Sequence, residues 1–138
     1  MVKSAVSLFS GCGGFDEGFT TGGFRVVEAH DLDPVAIGTY NVNHAPVGHV
    51  TDLSNSTINI PRSDVVIAGP PCQGFSTIGN LRRDDQRNSL LMSACRIVSK
   101  HRPQLLILEN VMGLTTSRNV HLLEAVSTPE TFYSGWPE

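Results

Sequence analysis

The chain has only three cysteines in 138 residues, Cys12, Cys72 and Cys95. An odd number at irregular intervals argues against a disulfide framework, and no pair stands at metal-ligand spacing. Such usage suits a reducing compartment. The five histidines show no paired spacing either. No metal site is therefore expected, and no histidine base can be nominated for a cysteine. His30 and His101 read as structural or exposed residues. Long apolar runs are missing too. Nothing approaches the roughly 20 apolar residues that cross a bilayer, and the run ending at Phe9 is too short for a signal peptide. These absences point away from a membrane and, if the source is prokaryotic, towards the cytoplasm, with a nuclear location left open.

An excess of basic charge is also lacking. Ten Lys and Arg stand against 13 Asp and Glu, a net charge of −3. Nucleic-acid-binding domains usually carry a basic face, because neutralising phosphates supplies much of their affinity. Global charge offers no such sign. Basic residues do gather locally, at Arg82, Arg83 and Arg87 and again at Arg96, Lys100, His101 and Arg102. Solvated helix faces are the plain alternative to phosphate contacts at both places. No internal repeat or low-complexity segment is visible.

What is present is ordinary for a soluble globular domain: 40% hydrophobic and 17% charged residues. The length suits one domain. Ala5 to Phe9 reads as a buried strand, ended by the turn Gly11-Cys12-Gly13-Gly14. Phe15 to Thr21 suits a short helix closed by Gly22-Gly23. Phe24 to His30 is a second strand. Pro34 to Asn43 is a helix with Asp33 as N-cap and Pro34 at its first position. Val47 to Val50 forms a short third strand and Asp64 to Ala68 a fourth. Gln73 to Asn88 lacks a period and reads mostly as a long loop. Leu90 to Lys100 has helical apolar spacing, Leu105 to Leu108 reads as another buried strand, and Val120 to Val126 as a last helix. This alternation predicts an α/β fold with a mainly parallel sheet. Ligands in such sheets bind beyond the carboxyl ends of the strands, where the unusual residues of this chain also fall.

Five constellations stand there. Phe9-Ser10-Gly11-Cys12-Gly13-Gly14-Phe15 lets backbone turn tightly and approach a ligand at a helix N-terminus. It lacks the Gly-x-Gly-x-x-Gly spacing and any phosphate-gripping Lys-Ser/Thr. A small nucleoside ligand suits it, and so does a plain strand-to-helix turn. Asp31, past the second strand, can accept hydrogen bonds from ribose hydroxyls, with Leu32 beside it to pack on an adenine. A helix cap is the competing role, and Asp33 fits that better. Asp52 could accept from an adenine amino group or simply open an Asx-turn. Pro70-Pro71 stiffen the backbone before Cys72, and rigid placement is what a nucleophile needs. An inert buried thiol suits Cys95, and Cys12 less clearly, better than Cys72. Glu109, after four apolar residues, would sit in a low dielectric that raises its pKa and fits it for proton donation. A structural carboxylate held by loop amides is the alternative.

Phe-Ser-Gly-Cys-Gly-Gly-Phe, the acid Asp31, Asp52, Gly-Pro-Pro-Cys-Gln-Gly-Phe-Ser and Glu-Asn-Val come in the order of the cytosine-C5 DNA methyltransferase family, which this chain resembles from about Ser4 to Leu114. The resemblance implies a Rossmann-like S-adenosylmethionine-dependent fold. It implies cofactor contacts from Phe9, Gly11, Gly13, Asp31, Leu32, Asp52 and Leu90, with Cys72 as nucleophile and Glu109 acting at cytosine N3. The family more often has glutamate where this chain has Asp31, one methylene shorter. Gln73, Ser76, Arg82, Arg83 and Arg87 are implied on the nucleic-acid side, on a loop closing over a cytosine flipped out of double-stranded DNA.

A full family member continues with a Gln-x-Arg-x-Arg strand, a target-recognition region and a late Asn-containing motif, none of which follows here. The expected organisation is thus a truncated catalytic domain over 1–126 with an irregular tail over 127–138. The chain reads either as a truncated product or as one subunit of a split enzyme, in which case a second chain would supply the missing region. Two other readings stay open: an inactive cofactor-binding fragment, and the related transfer-RNA cytosine methyltransferase.

Overall fold

The computed structural model describes residues 2–55, 57–71 and 86–112. Five strands form one sheet: β1 (Ser4–Leu8), β2 (Arg25–Asp31), β3 (Gly48–Val50), β4 (Val65–Ala68) and β5 (Leu105–Leu108). Three helices connect them: α1 (Gly14–Thr21), α2 (Pro34–Asn43) and α3 (Gln86–His101). Every strand pair is parallel. The order is β3-β2-β1-β4-β5, so the direction of winding reverses between β1 and β4. The expected α/β fold with a parallel sheet is what forms.

The central strands are apolar on both sides because both sides are covered. Val6, Leu8, Val66 and Ala68 face Leu53, Ile60 and the α3 residues Ile97 and Val98. Ala5, Val65 and Ile67 alternate with them and face Val26, Ala29 and Tyr40 of α2. Full burial of one such Val or Ile side chain stabilises the fold by about 1.5–3 kcal/mol.

The helix ends follow the local chemistry. Asp33 Oδ1 accepts from the Val35 amide at 2.8 Å and Pro34 opens α2, as expected. At the end of α1, Gly23 takes φ +86° and donates to the Thr20 carbonyl, while the Phe24 amide donates to that of Phe19. The Phe19 and Phe24 rings meet edge to face at 5.4 Å, which completes the stop.

Two expectations need correction. The loop expected to run to Asn88 gives way to helix by Gln86, because a polar first turn of α3 carries no apolar period to announce it. Arg87 therefore belongs to the helix rather than the loop. β5 is not a buried strand: Leu105 is 51% exposed and its neighbours are half-buried. It lies at the end of the strand order, and four apolar residues in a row cannot reveal which strand takes an edge. The helix expected at 120–126 and the tail at 127–138 lie outside the described residues.

Candidate active site and cofactor pocket

The carboxyl ends of all five strands carry the residues singled out above. At the end of β1 the backbone takes three left-handed conformations in quick succession: Phe9 at φ 58°, Gly11 at 54° and Gly13 at 94°. For a bulky residue such as Phe9 this is strained by about 1–3 kcal/mol, and strain of this kind concentrates at functional loops. Gly13 has no alternative. A Cβ there would lie 2.4 Å from His44 Nε2 and 2.9 Å from Tyr40 Cδ2. At Gly11 the space is open, so a ligand can come close to its backbone.

Asp31 ends β2 and ties this turn down. Its Oδ2 accepts from the Gly11 amide at 2.8 Å and its Oδ1 from the Asp33 amide at 2.9 Å. A carboxylate has about four lone-pair sites, so acceptor capacity is left for a ligand. Leu32 beside it is 65% exposed, an apolar surface with nothing yet packed on it. Thr51, after β3, donates its amide to the Asp31 carbonyl at 2.7 Å. Asp52 follows, with Oδ1 accepting from the Ser54 amide at 2.9 Å. The Ser54 side chain first, and then this amide, hold its carboxyl below the usual carboxylate range. The Asx-turn role is thus real.

At the switch point three strand ends converge. A Cβ on Gly69 would sit 3.7 Å from Glu109 Oε2 and 3.9 Å from the Phe9 carbonyl. The Gly69 amide donates to Leu8, and the Glu109 amide to Ala68, so β1, β4 and β5 keep their register up to this point. Glu109 itself is exposed. The expected low-dielectric setting is not what surrounds it, because β5 stands last in the order of the described strands. Cys72, Gln73, Ser76, Arg82 and Arg83 lie outside the described residues, and of Arg87 only the helical backbone is described.

Two further features carry no signal in the residue pattern. Asp16 in the first turn of α1 is fully buried, accepting from Ser7 Oγ at 2.7 Å and from the Tyr40 hydroxyl at 2.9 Å. Burial pushes its carboxyl above the usual range, against those two hydrogen bonds and the nearby His44. Its place at helical position three looked like an ordinary acidic first turn. Ser10 is the other: its hydroxyl is buried beside the glycine turn with no hydrogen-bond partner among the described residues. Cys12 is exposed, not buried, because the glycine turn projects it from the strand end. Cys95 is buried as expected, and burial pushes its thiol up to about 11.

Comparison with known proteins decides the lineage. The family model of C-5 cytosine-specific DNA methylases matches residues 4–130.

The chain belongs to that family.

The family match continues past Leu114, where the legible motifs stop. Among its relatives, the type II methyltransferase M.DdeI of Desulfomicrobium norvegicum is 39% identical over 119 residues, covering 82% of this chain and 29% of the relative. M.AquIA of Picosynechococcus sp. is 37% identical over 139 residues, covering 93% of this chain and 56% of the relative. A DNA modification methyltransferase encoded within an E. coli prophage superposes with a TM-score of 0.76 at 32% identity, over 90% of this chain and 36% of that one. The chain spans 28–36% of the length of the first curated relatives it matches. The S. pombe Dnmt2 methyltransferase, at 21% identity and a TM-score of 0.68 over 91% of this chain and 40% of its own, shares the fold. An S-adenosylmethionine-dependent methyltransferase architecture is thereby established for this C-5 cytosine methylase domain.

Proposed function

We propose that this chain carries the cofactor pocket and the nucleophile of an enzyme that transfers methyl groups from S-adenosylmethionine to cytosine C5 in double-stranded DNA. The observation that carries this reading is the meeting of the glycine turn, Asp31 and Glu109 along one sheet edge, at the reversal of strand order, in a chain of this family. Open sheets bind their ligands at that point.

The residues present fit the cofactor. The left-handed turn at Gly11 and Gly13 offers close backbone approach, and the orphaned Ser10 hydroxyl calls for a polar partner. Asp31 would take the ribose, and exposed Leu32 with Asp52 the adenine. Phe9 would flank the methionine part, and half-buried Leu90 would pack on the ligand from α3. S-adenosylmethionine supplies an electrophilic methyl group there.

Cytosine C5 is a poor nucleophile. Addition of the Cys72 thiolate at C6 makes C5 an enamine carbon able to accept the methyl. Glu109, beside the Gly69 strand end that leads through Pro70 and Pro71 to Cys72, would hydrogen-bond or protonate N3 as the sulfur adds. Loss of the C5 proton and departure of the Cys72 sulfur then release 5-methylcytosine. The base must leave the duplex to be reached. Gln73, Ser76, Arg82, Arg83 and Arg87 are assigned to the nucleic-acid side, where phosphate contacts fix register. Reading of the target sequence falls to a region beyond this chain, on the same or a second polypeptide, consistent with the share of each relative that is matched.

The test is adduct formation. The chain, with and without a separately supplied C-terminal region of a relative, is mixed with S-adenosylmethionine and DNA containing 5-fluorocytosine. A covalent adduct that disappears in Cys72→Ala supports the reading. Folded protein giving no adduct under either condition favours an inactive fragment, and an adduct with transfer RNA alone would move the substrate.

A further inference from the structure

His30 lies behind the pocket, buried at 5% exposure, with both ring nitrogens engaged. Nε2 is 3.1 Å from Glu28 Oε2, and Nδ1 is 3.0 Å from Thr51 Oγ1. The carbonyl of His30 accepts from the Ser10 amide at 3.0 Å. One residue thus touches the glycine turn after β1, the strand that ends in Asp31, and the exit of β3 that leads into Asp52. We propose that His30 is a positioning residue for the adenine end of the cofactor pocket, clamping Thr51 and so fixing Asp52 relative to Asp31. The inference rests on the pocket reading above.

The chemistry of the ring makes this clamp sensitive to protons. Carboxylate Glu28 only accepts, so in the neutral ring Nε2 carries the hydrogen and Nδ1 accepts from the Thr51 hydroxyl. Add a proton and Nδ1 becomes a donor. The single hydroxyl hydrogen of Thr51 must then turn away, and the His49 carbonyl lies 3.3 Å from that oxygen. Thr51 then accepts from Nδ1 and donates to the His49 carbonyl, so the clamp reverses its direction and Thr51 is drawn towards His49. The groups facing the ring are Glu28 on β2, and His49 and Thr51 on β3, with the His49 ring stacked at 5.4 Å. Burial first, and then the His49 neighbour, oppose the Glu28 carboxylate and hold the imidazole below its ordinary value. The neutral form, with Thr51 donating to His30, is the one present at neutral pH.

The experiment is titration calorimetry of S-adenosylmethionine on the 138-residue chain, with thermal unfolding of each variant alongside. Wild type, His30→Gln, His30→Ala and Thr51→Val are compared at about pH 7.5 and about pH 5.5. Glutamine can still bond Thr51 but does not titrate. Near neutrality His30→Gln is expected to bind within about twofold of wild type, and Thr51→Val and His30→Ala about tenfold more weakly. On acidification wild type should lose about fivefold while His30→Gln stays level. A merely structural histidine would lower the melting temperature and leave the pH profile of binding unchanged. Superimposed profiles for wild type and His30→Gln, with Thr51→Val binding like wild type, would overturn the proposal. If His30→Ala does not fold, Thr51→Val carries that comparison. Failure of the folded wild type to bind at either pH sinks the pocket reading itself, and this inference with it.

Discussion

The Gly11 amide donates to Asp31 Oδ2 at 2.8 Å, so the acid that ends β2 also holds the turn that ends β1. One carboxylate shapes the glycine turn and, in the proposed pocket, would also face the ribose. Asp31→Ala is expected to weaken S-adenosylmethionine binding by about tenfold to a hundredfold, the worth of hydrogen bonds to a charged group. Asp31→Glu, reaching one methylene further, should keep most of the affinity. Calorimetry of the two variants decides, and equal losses in both would remove the ribose role.

Two glycines of the same turn should behave differently. Gly13→Ala meets both a forbidden φ and the His44 ring, and should cost more than about 3 kcal/mol. Gly11→Ala meets the φ penalty alone, about 1 kcal/mol, because nothing occupies its Cβ position. His44→Ala should rescue Gly13→Ala in part and leave Gly11→Ala unaffected. Urea denaturation midpoints measure all three, and rescue of both glycine variants would disprove the steric account.

Asp16 gives a pH signature. Its carboxyl is raised in the folded protein by burial, so the native state holds its proton more tightly than the unfolded chain. The stability it contributes is complete below the ordinary value of 3.8 and is lost as pH rises through the folded value. Asp16→Asn removes that titration. The gap between variant and wild type should move in favour of the variant from about pH 3.5 to about pH 7. A gap constant with pH would mean that the network with Ser7 and Tyr40 abolishes the burial effect.

Glu109 should matter to chemistry and not to folding, because it is exposed just past the end of β5. Glu109→Gln is expected to slow adduct formation on 5-fluorocytosine DNA by about a hundredfold, within the usual range for general acid catalysis. Its melting temperature should match wild type. An unchanged adduct rate would remove Glu109 from the mechanism.

Thiol reactivity separates two of the cysteines. Exposed Cys12 should react with iodoacetamide in the native protein, while Cys95, buried and pushed up to about 11, should react only on unfolding. Peptide mapping after brief labelling tests this, and early modification of Cys95 would contradict its packing.

Much of this was legible in the sequence because it depends on local rules. Strands and helices came from apolar period, with Asp33 and Pro34 opening α2 and Gly22-Gly23 closing α1. The order of glycine turn, acids, Pro-Pro-Cys-Gln and Glu-Asn-Val sufficed for the family, since residue type and sequence order survive without coordinates. Pattern fails where a property depends on which strands become neighbours. The apolar run of β5 reads as buried, but it stands last in the order of the described strands and leaves Glu109 exposed. Cys12 emerged from a turn whose direction no spacing records. Asp16 and His30 had no motif at all. Only packing of β1, α1 and α2 could bury one, and only parallel pairing of β2 with β3 could set the other against Thr51. The sequence by itself determined the elements, the family and the residues at the strand ends. Tertiary structure alone decided which of those ends converge and which charges lose their water, because both follow from contacts between segments distant in the chain.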